Sequence, residues 1–267
     1  MQERAQRRSV SLAADQRSYP AGGGWVMNRA MLTGIFLRSL TVQASFNFWR
    51  MQNLGFAFAL IPLIKRYGND PIKAGEMVAG QMQMFNTHPY MVAPVIGSVV
   101  RLGEEGRLQE VAELKKVLMG PYAAIGDSFF WGALRSFTAL WAVIAGFAGV
   151  LPALAACLLL YLPAQIWVRA MGFWEGYRRG RNGIDFIRRL DLPGLAGKIR
   201  HGSLILIGVL AALNVHAAGS AWPEVPAIPA AVGATAILFL FLIALRRGIS
   251  AVTLLYGTGL LCMVLTI

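Results

Sequence analysis

Charge is what this chain has little of. Only 14% of its 267 residues are Asp, Glu, Lys or Arg, against about a quarter in an average soluble domain. A water-soluble fold of this length would need more polar surface than that, so the composition excludes an ordinary aqueous globule. Cysteine is nearly absent. Cys157 and Cys262 lie far apart, each in an apolar run, which excludes a disulfide framework and any thiolate zinc site; both are expected to be small buried hydrophobes. The three histidines, His88, His201 and His216, are scattered. With no Ser-His-Asp spacing, no Walker loop and no metal-ligand cluster, no catalytic set, metal or cofactor is expected on this chain.

Acidic residues are the scarcer sign, 13 against 25 basic, giving a net charge of +12. The basic residues cluster beside apolar runs, at Arg178, Arg179, Arg181, Arg188 and Arg189, and again at Arg246 and Arg247. That is how positive charge marks the cytoplasmic side of a membrane protein, so the excess does not point to nucleic acid. Residues 136–168 carry no charge at all. As one helix this run would be about 50 Å long, against a hydrocarbon core of about 30 Å. Gly149-Val150-Leu151-Pro152 offers a turn in its middle, so two spans are expected, at 130–149 and 153–173. Arg135 and Arg169 then lie near one membrane face, where long side chains can snorkel. Apolar runs at 203–219, 226–245 and 248–267 bring the count to five. With the 174–200 loop in the cytoplasm, every basic cluster falls on one side.

The first half is less apolar and more interrupted. Residues 1–30 begin with Arg4, Arg7, Arg8, Arg17 and a run of three glycines. They contain no continuous apolar segment, so they are not a secretory signal peptide; they read either as a disordered basic arm or as sequence upstream of a start at Met27 or Met31. Leu37, Leu40, Ala44 and Phe48 recur at helical spacing, with Gln43, Asn47 and Arg50 at similar intervals, which predicts a helix with one wet or partnered face. Residues 51–64 are too short for a comfortable span and fit a re-entrant or interfacial helix. A turn is expected at 67–71 and a helix over 72–85. Residues 91–100 are apolar over about half a span. Residues 104–118 read as a solvated amphipathic helix, with Leu108, Val111, Leu114 and Leu118 as its apolar stripe.

Three segments carry specific chemistry. Asn47-Phe48-Trp49-Arg50-Met51-Gln52-Asn53-Leu54-Gly55 and Phe85-Asn86-Thr87-His88-Pro89-Tyr90 both set amides and aromatics among apolar neighbours. An amide at membrane depth is costly unless paired. Such groups either line a path for sugar or water, since amides suit hydroxyls and aromatic faces suit C–H surfaces, or they cap broken helices. In the third segment, Gly120, Pro121 and Gly126 punctuate an apolar stretch, and Asp127 is expected to N-cap a helix starting near Ser128.

Taken in order, these segments resemble the IID subunit of the mannose–fructose–sorbose class of the bacterial sugar phosphotransferase system. The resemblance runs from Thr33-Gly34-Ile35-Phe36-Leu37-Arg38-Ser39 through Arg50–Phe56, Phe85–Tyr90 and Met119-Gly120-Pro121 to Gly126-Asp127-Ser128-Phe129-Phe130-Trp131-Gly132, with a weaker echo at Tyr177–Asp185. It implies a membrane complex with a IIC subunit, built as a higher oligomer of IIC–IID pairs in the bacterial inner membrane. It further implies uptake of a hexose-type sugar, phosphorylated during transport by IIB, which IIA charges from phosphoenolpyruvate. The phosphorylated side chains of that system lie on IIA and IIB, in keeping with the missing catalytic set here. The chain departs from the family in its basic start and in the short Pro-rich turn at 219–229, where members often carry a longer segment.

The sequence therefore predicts an all-α integral membrane protein, with amphipathic or re-entrant helices over 31–127 and about five transmembrane helices over 128–267. Asn47, Gln52, Asn53, Asn86 and His88 are the candidates for lining or shaping the substrate path or the IIC interface. Pro89, Gly120, Pro121, Gly126 and Asp127 are structural. The surfaces 104–116 and 175–200 are candidates for meeting IIB. Two rival readings are a regulatory or structural membrane subunit with no transport of its own, and a self-sufficient transporter.

Overall fold

The computed structural model describes residues 27–68, 70–149, 153–221 and 226–265. The basic arm before residue 27, residues 150–152 of the turn expected at 149–152 and residues 222–225 of the turn expected at 219–229 lie outside the described residues. Regular structure among the described residues is helical: α1 Arg29–Ser39, α2 Asn53–Ala59, α3 Ile61–Arg66, α4 Pro71–Gln81, α5 Val92–Glu104, α6 Leu108–Gly126, a π-helical stretch Asp127–Leu134, α7 Arg135–Phe147, α8 Ala153–Arg179, α9 Ile184–Arg189, α10 Leu192–Ala221, α11 Ala227–Arg246 and α12 Ala251–Leu265.

Local chemistry sets the early boundaries. Asn28 caps α1 by accepting from the Met31 amide, and Asp70 caps α4 by accepting from the Lys73 amide, with Pro71 at the first helical position, where its missing N–H costs nothing. The helix expected through Phe48 stops sooner. After Ser39 the chain makes a 3-10 turn at Val42–Ser45 and then a tight loop in which Asn47 and Met51 exchange backbone hydrogen bonds of 3.0 and 2.9 Å. Met51 takes a left-handed φ of 57° to close it.

The chain divides into two compact units. The first holds Met1–Ser136 and Leu158–Ile199, the second Phe137–Cys157 and Arg200–Ile267. In the first unit α5 is the hub. Expected as half a span, it is a core helix enclosed except at Arg101, with Val95, Ile96, Val99, Val100 and Leu102 at 0% exposure. It meets α8 almost backbone to backbone. A Cβ at Gly97 would run into the Phe173 carbonyl, and one at Gly176 into the Pro94 carbonyl and Ser98. Small residues permit this in membrane packing, where close dispersion contact replaces the hydrophobic drive.

The second unit is different in kind. Among its described residues the buried side chains are Thr138 and Ser203, while Leu240, Leu255, Leu260 and Met263 are more than half exposed. Cys262 is exposed and Cys157 half-buried; the burial expected for both fails because these helices present apolar surface outward. Two stretches, Leu108–Phe147 and Cys157–Asn214, are long and apolar enough to cross a membrane, and Ala231–Arg246 and Ala251–Val264 are shorter apolar helices.

Two expectations about the middle of the chain change. Helix α6 continues past Gly120 and Pro121 and into the π-helical stretch without a break. Asp127 therefore sits inside a helix with φ −62° and ψ −45° and cannot be an N-cap, which needs extended backbone. The 104–118 segment is not a solvated face throughout. Val111, Leu114 and Leu118 are buried as the stripe requires, but so are Glu104 and Lys115.

Candidate functional site

The two amide-rich segments lie side by side in the first unit. The Gln52 amide N–H donates to the Phe85 carbonyl at 2.9 Å, and the Phe85 N–H donates to the Arg50 carbonyl at 3.4 Å. The Gln52 side chain, 1% exposed, then pairs with the backbone of Thr87 on both sides. Its Nε2 donates to the Thr87 carbonyl at 2.6 Å and its Oε1 accepts from the Thr87 amide at 3.1 Å. This satisfies two buried backbone groups of a non-helical segment, each costly to leave unpaired. Asn47 holds its own loop, accepting from the Arg50 amide at 2.8 Å and donating to Asn53 Oδ1 at 2.8 Å. The tip of that loop leaves Phe48 and Trp49 86% and 87% exposed.

The same segment closes the end of α4. Arg50 Nη1 and Asn53 Nδ2 both donate to the Met82 carbonyl, at 2.9 and 3.0 Å. Lys115, from α6, donates to the Gly80 carbonyl at 3.1 Å and to Gln81 Oε1 at 2.9 Å. Two cations and an amide thus meet the negative end of the α4 dipole and its orphan carbonyls. The Lys115 ammonium also sits 4.7 Å from the Phe56 ring and 5.6 Å from the Phe85 ring, a cation–π arrangement that offsets its burial. Sequence reasoning missed Lys115 because nothing distinguishes it from its exposed neighbour Lys116.

His88 lies at the far end of the second segment, 1% exposed. Its ring stacks on Phe130 at 5.3 Å and meets Tyr90 and Trp131 edge to face at 4.8 and 4.7 Å. Phe130 and Trp131 both come from the π-helical stretch. Gly126 is required here, since a Cβ would overlap His88 Cβ and Cγ. His88 Nδ1 accepts from the Tyr90 amide at 3.2 Å, which leaves the remaining ring proton on Nε2. Nε2 has no hydrogen-bond partner.

Arg169 completes this box. Its guanidinium lies 4.4 Å from the centre of the Tyr90 ring, and the Tyr161 hydroxyl bonds that of Tyr90 at 3.2 Å. Arg169 has its Nε buried without a hydrogen-bond partner. Its isolation at the end of the long uncharged run was the available signal, because a lone charge inside a span is a functional position by default. Asn86 is half-buried beside this box in sequence, Pro89 opens the 3-10 turn Pro89–Met91, and Gly120, Pro121 and Asp127 are exposed on their helix. The structure thus brings Asn47, Gln52 and Asn53 together as one bonded cluster and sets His88 in a second, aromatic one.

The candidate surfaces 104–116 and 175–200 adjoin. Arg107 forms ion pairs with Glu110 at 2.6 Å and Glu105 at 2.8 Å, and Arg181 reaches Glu110 at 3.5 Å. The two carboxylates hold the Arg107 guanidinium well above its usual range. Glu104 is withdrawn from this surface, accepting from the Tyr177 hydroxyl at 3.0 Å.

An all-helical chain with an enclosed hub helix, long apolar stretches and an outward apolar second unit is a membrane protein, and comparison with solved structures agrees. One described as a membrane protein aligns over 90% of this chain and 97% of its own, with a TM-score of 0.67 at 24% identity. A chain from a structure of the mannose transporter ManYZ with microcin E492 aligns over 90% and 96%, with a TM-score of 0.53 at 25% identity. The model of the phosphotransferase-system mannose/fructose/sorbose family IID component matches residues 26–267, and the chain belongs to that family. The mannose-specific IID component of Escherichia coli K12 is 34% identical over 188 residues, covering 67% of this chain and 65% of that protein. The sorbose-specific IID component of Klebsiella pneumoniae is 34% identical over 185 residues, covering 66% and 65%. The matched stretch thus spans just under two thirds of the length of these relatives.

Proposed function

We propose that this chain is the IID membrane subunit of a phosphoenolpyruvate-dependent sugar transporter. In this reading it pairs with a IIC subunit, in a higher oligomer of IIC–IID pairs, to form the path for a hexose-type sugar that IIB, charged by IIA, phosphorylates. The protein lies in the bacterial inner membrane with five spans, α7, α8, α10, α11 and α12, and with its basic loops in the cytoplasm. The ion-paired surface of Glu105, Arg107, Glu110 and Arg181 is the part that meets IIB.

The observation that carries the proposal is the bonded pair of segments 47–53 and 82–88. Asn47, Gln52 and Asn53 direct hydrogen bonds to backbone at helix ends and in loops. Irregular backbone at membrane depth is tolerated where it is enclosed by protein or lines a cavity. The amides therefore shape the path or the IIC interface by holding Asn86 and His88 in place. The test is sugar uptake by the intact complex in cells. Asn86→Ala and His88→Ala each abolish uptake while the chain still inserts at normal levels; normal uptake by both variants would overturn this assignment. Uptake by this chain reconstituted alone would favour a self-sufficient transporter, and undiminished uptake by a complex lacking it would favour a regulatory subunit.

A further inference from the structure

The box around His88 is rich in donors and poor in acceptors. His88 Nε2 and Arg169 Nε are both buried and both without a partner. The Tyr90 and Tyr161 hydroxyls bond each other. Among the described residues no carboxylate lies within ion-pair distance of Arg169. The Tyr90 ring face attracts the guanidinium charge but accepts none of its N–H bonds in the plane. A charged group left in this state in an apolar surrounding lacks its counter-ion.

We propose that Arg169 and His88 form a binding site for a carboxylate carried on a membrane helix of the partner subunit. The inference rests on the subunit reading above. A carboxylate supplies the acceptors both orphan donors need, and a guanidinium takes it in a planar, charge-assisted pair. Depth decides the source of the anion. The next charged residue on α8 after Arg169 is Glu175, paired with Arg178 and Arg179, so Arg169 is about 9 Å along the helix from that polar end. That is further than an arginine side chain reaches to find a lipid headgroup. A free anion would have to shed its water to arrive there. A side chain on a neighbouring helix is delivered by assembly itself. Trp131, one wall of the box, is 39% exposed, so one side of the site is a single ring that reaches the surface.

The experiment uses the full chain co-expressed with its IIC partner and purified in mild detergent through a tag on this chain. Arg169→Gln is expected to lower the recovered IIC by roughly tenfold, as for a buried pair that loses one charge, while this chain accumulates normally; Arg169→Lys is expected to regain only part of that recovery, since it keeps the charge but loses the planar fork and its stacking on Tyr90. In the Arg169→Gln background, changing one intramembrane carboxylate of the partner to its amide is expected to restore recovery. Full recovery with Arg169→Gln alone, or no restoration by any partner carboxylate, overturns the proposal. If Arg169→Gln fails to accumulate, the same double variants decide, through restoration of both chains. Stabilisation of the purified wild-type chain by millimolar inorganic phosphate, lost in Arg169→Gln, would assign the site to a free anion and overturn the partner carboxylate. Absence of IIC from the wild-type preparation would overturn the subunit reading itself, an outcome distinct from all the others.

Discussion

The two units of this protein bury opposite things. In the first, Phe56, Phe85, Phe130 and Phe173 are fully enclosed, and the polar side chains that go inside with them, Gln52, Lys115 and Glu104, each find bonded partners. In the second, large aliphatic side chains face outward and the buried ones among the described residues are Thr138 and Ser203. The contrast follows from the solvent. Lipid tails are as apolar as leucine, so a helix in the bilayer gains nothing by hiding it. A unit with irregular backbone must enclose that backbone and satisfy it internally. The first unit therefore carries the unusual residues, and the second carries ordinary helices.

That contrast can be broken by measurement. Phe130→Ala should cost about 3–5 kcal/mol, the usual price of a large core cavity. Leu240→Ala, on an outward face, should cost less than about 1 kcal/mol. Thermal unfolding of both variants in the same detergent checks this, and equal losses would mean that the second unit has a packed core of its own.

The smallest effect separates two adjacent lysines. Lys115→Ala removes a buried ammonium bonded to the end of α4 and should cost about 2 kcal/mol. Lys116→Ala, at an exposed position, should stay within about 0.5 kcal/mol. Chemical denaturation of the two variants sharpens the boundary between the enclosed and the solvated faces of α6.

Much of this was legible in the sequence, for identifiable reasons. The missing charge over residues 136–168 is a statement about solvent, readable without coordinates. The turn at 67–71 is local, so residue type and spacing suffice, whereas the Asn28 cap falls in a segment expected to have no fold. The amides of Asn47, Gln52 and Asn53 stood out because polar groups amid apolar neighbours must be paired somewhere. Where they pair was not legible. Thr87 lies 35 residues from Gln52, and no periodicity connects them. Asp127 misled for a related reason: a carboxylate after glycine has the chemistry of an N-cap, yet α6 passes through it as continuous helix.

By itself the sequence determined that this is a helical membrane protein of the IID family and which segments are special, because hydropathy, charge clustering and motif order are properties of the chain. Only the tertiary structure decided what those segments do to one another. Gly126 is glycine because His88 packs against it. Lys115 is buried because the end of α4 needs donors. Arg169 is left beside an aromatic ring with a donor unspent. Each depends on residues distant in sequence meeting at a few ångströms, where hydrogen bonds and overlap forces act and where a linear pattern has no reach.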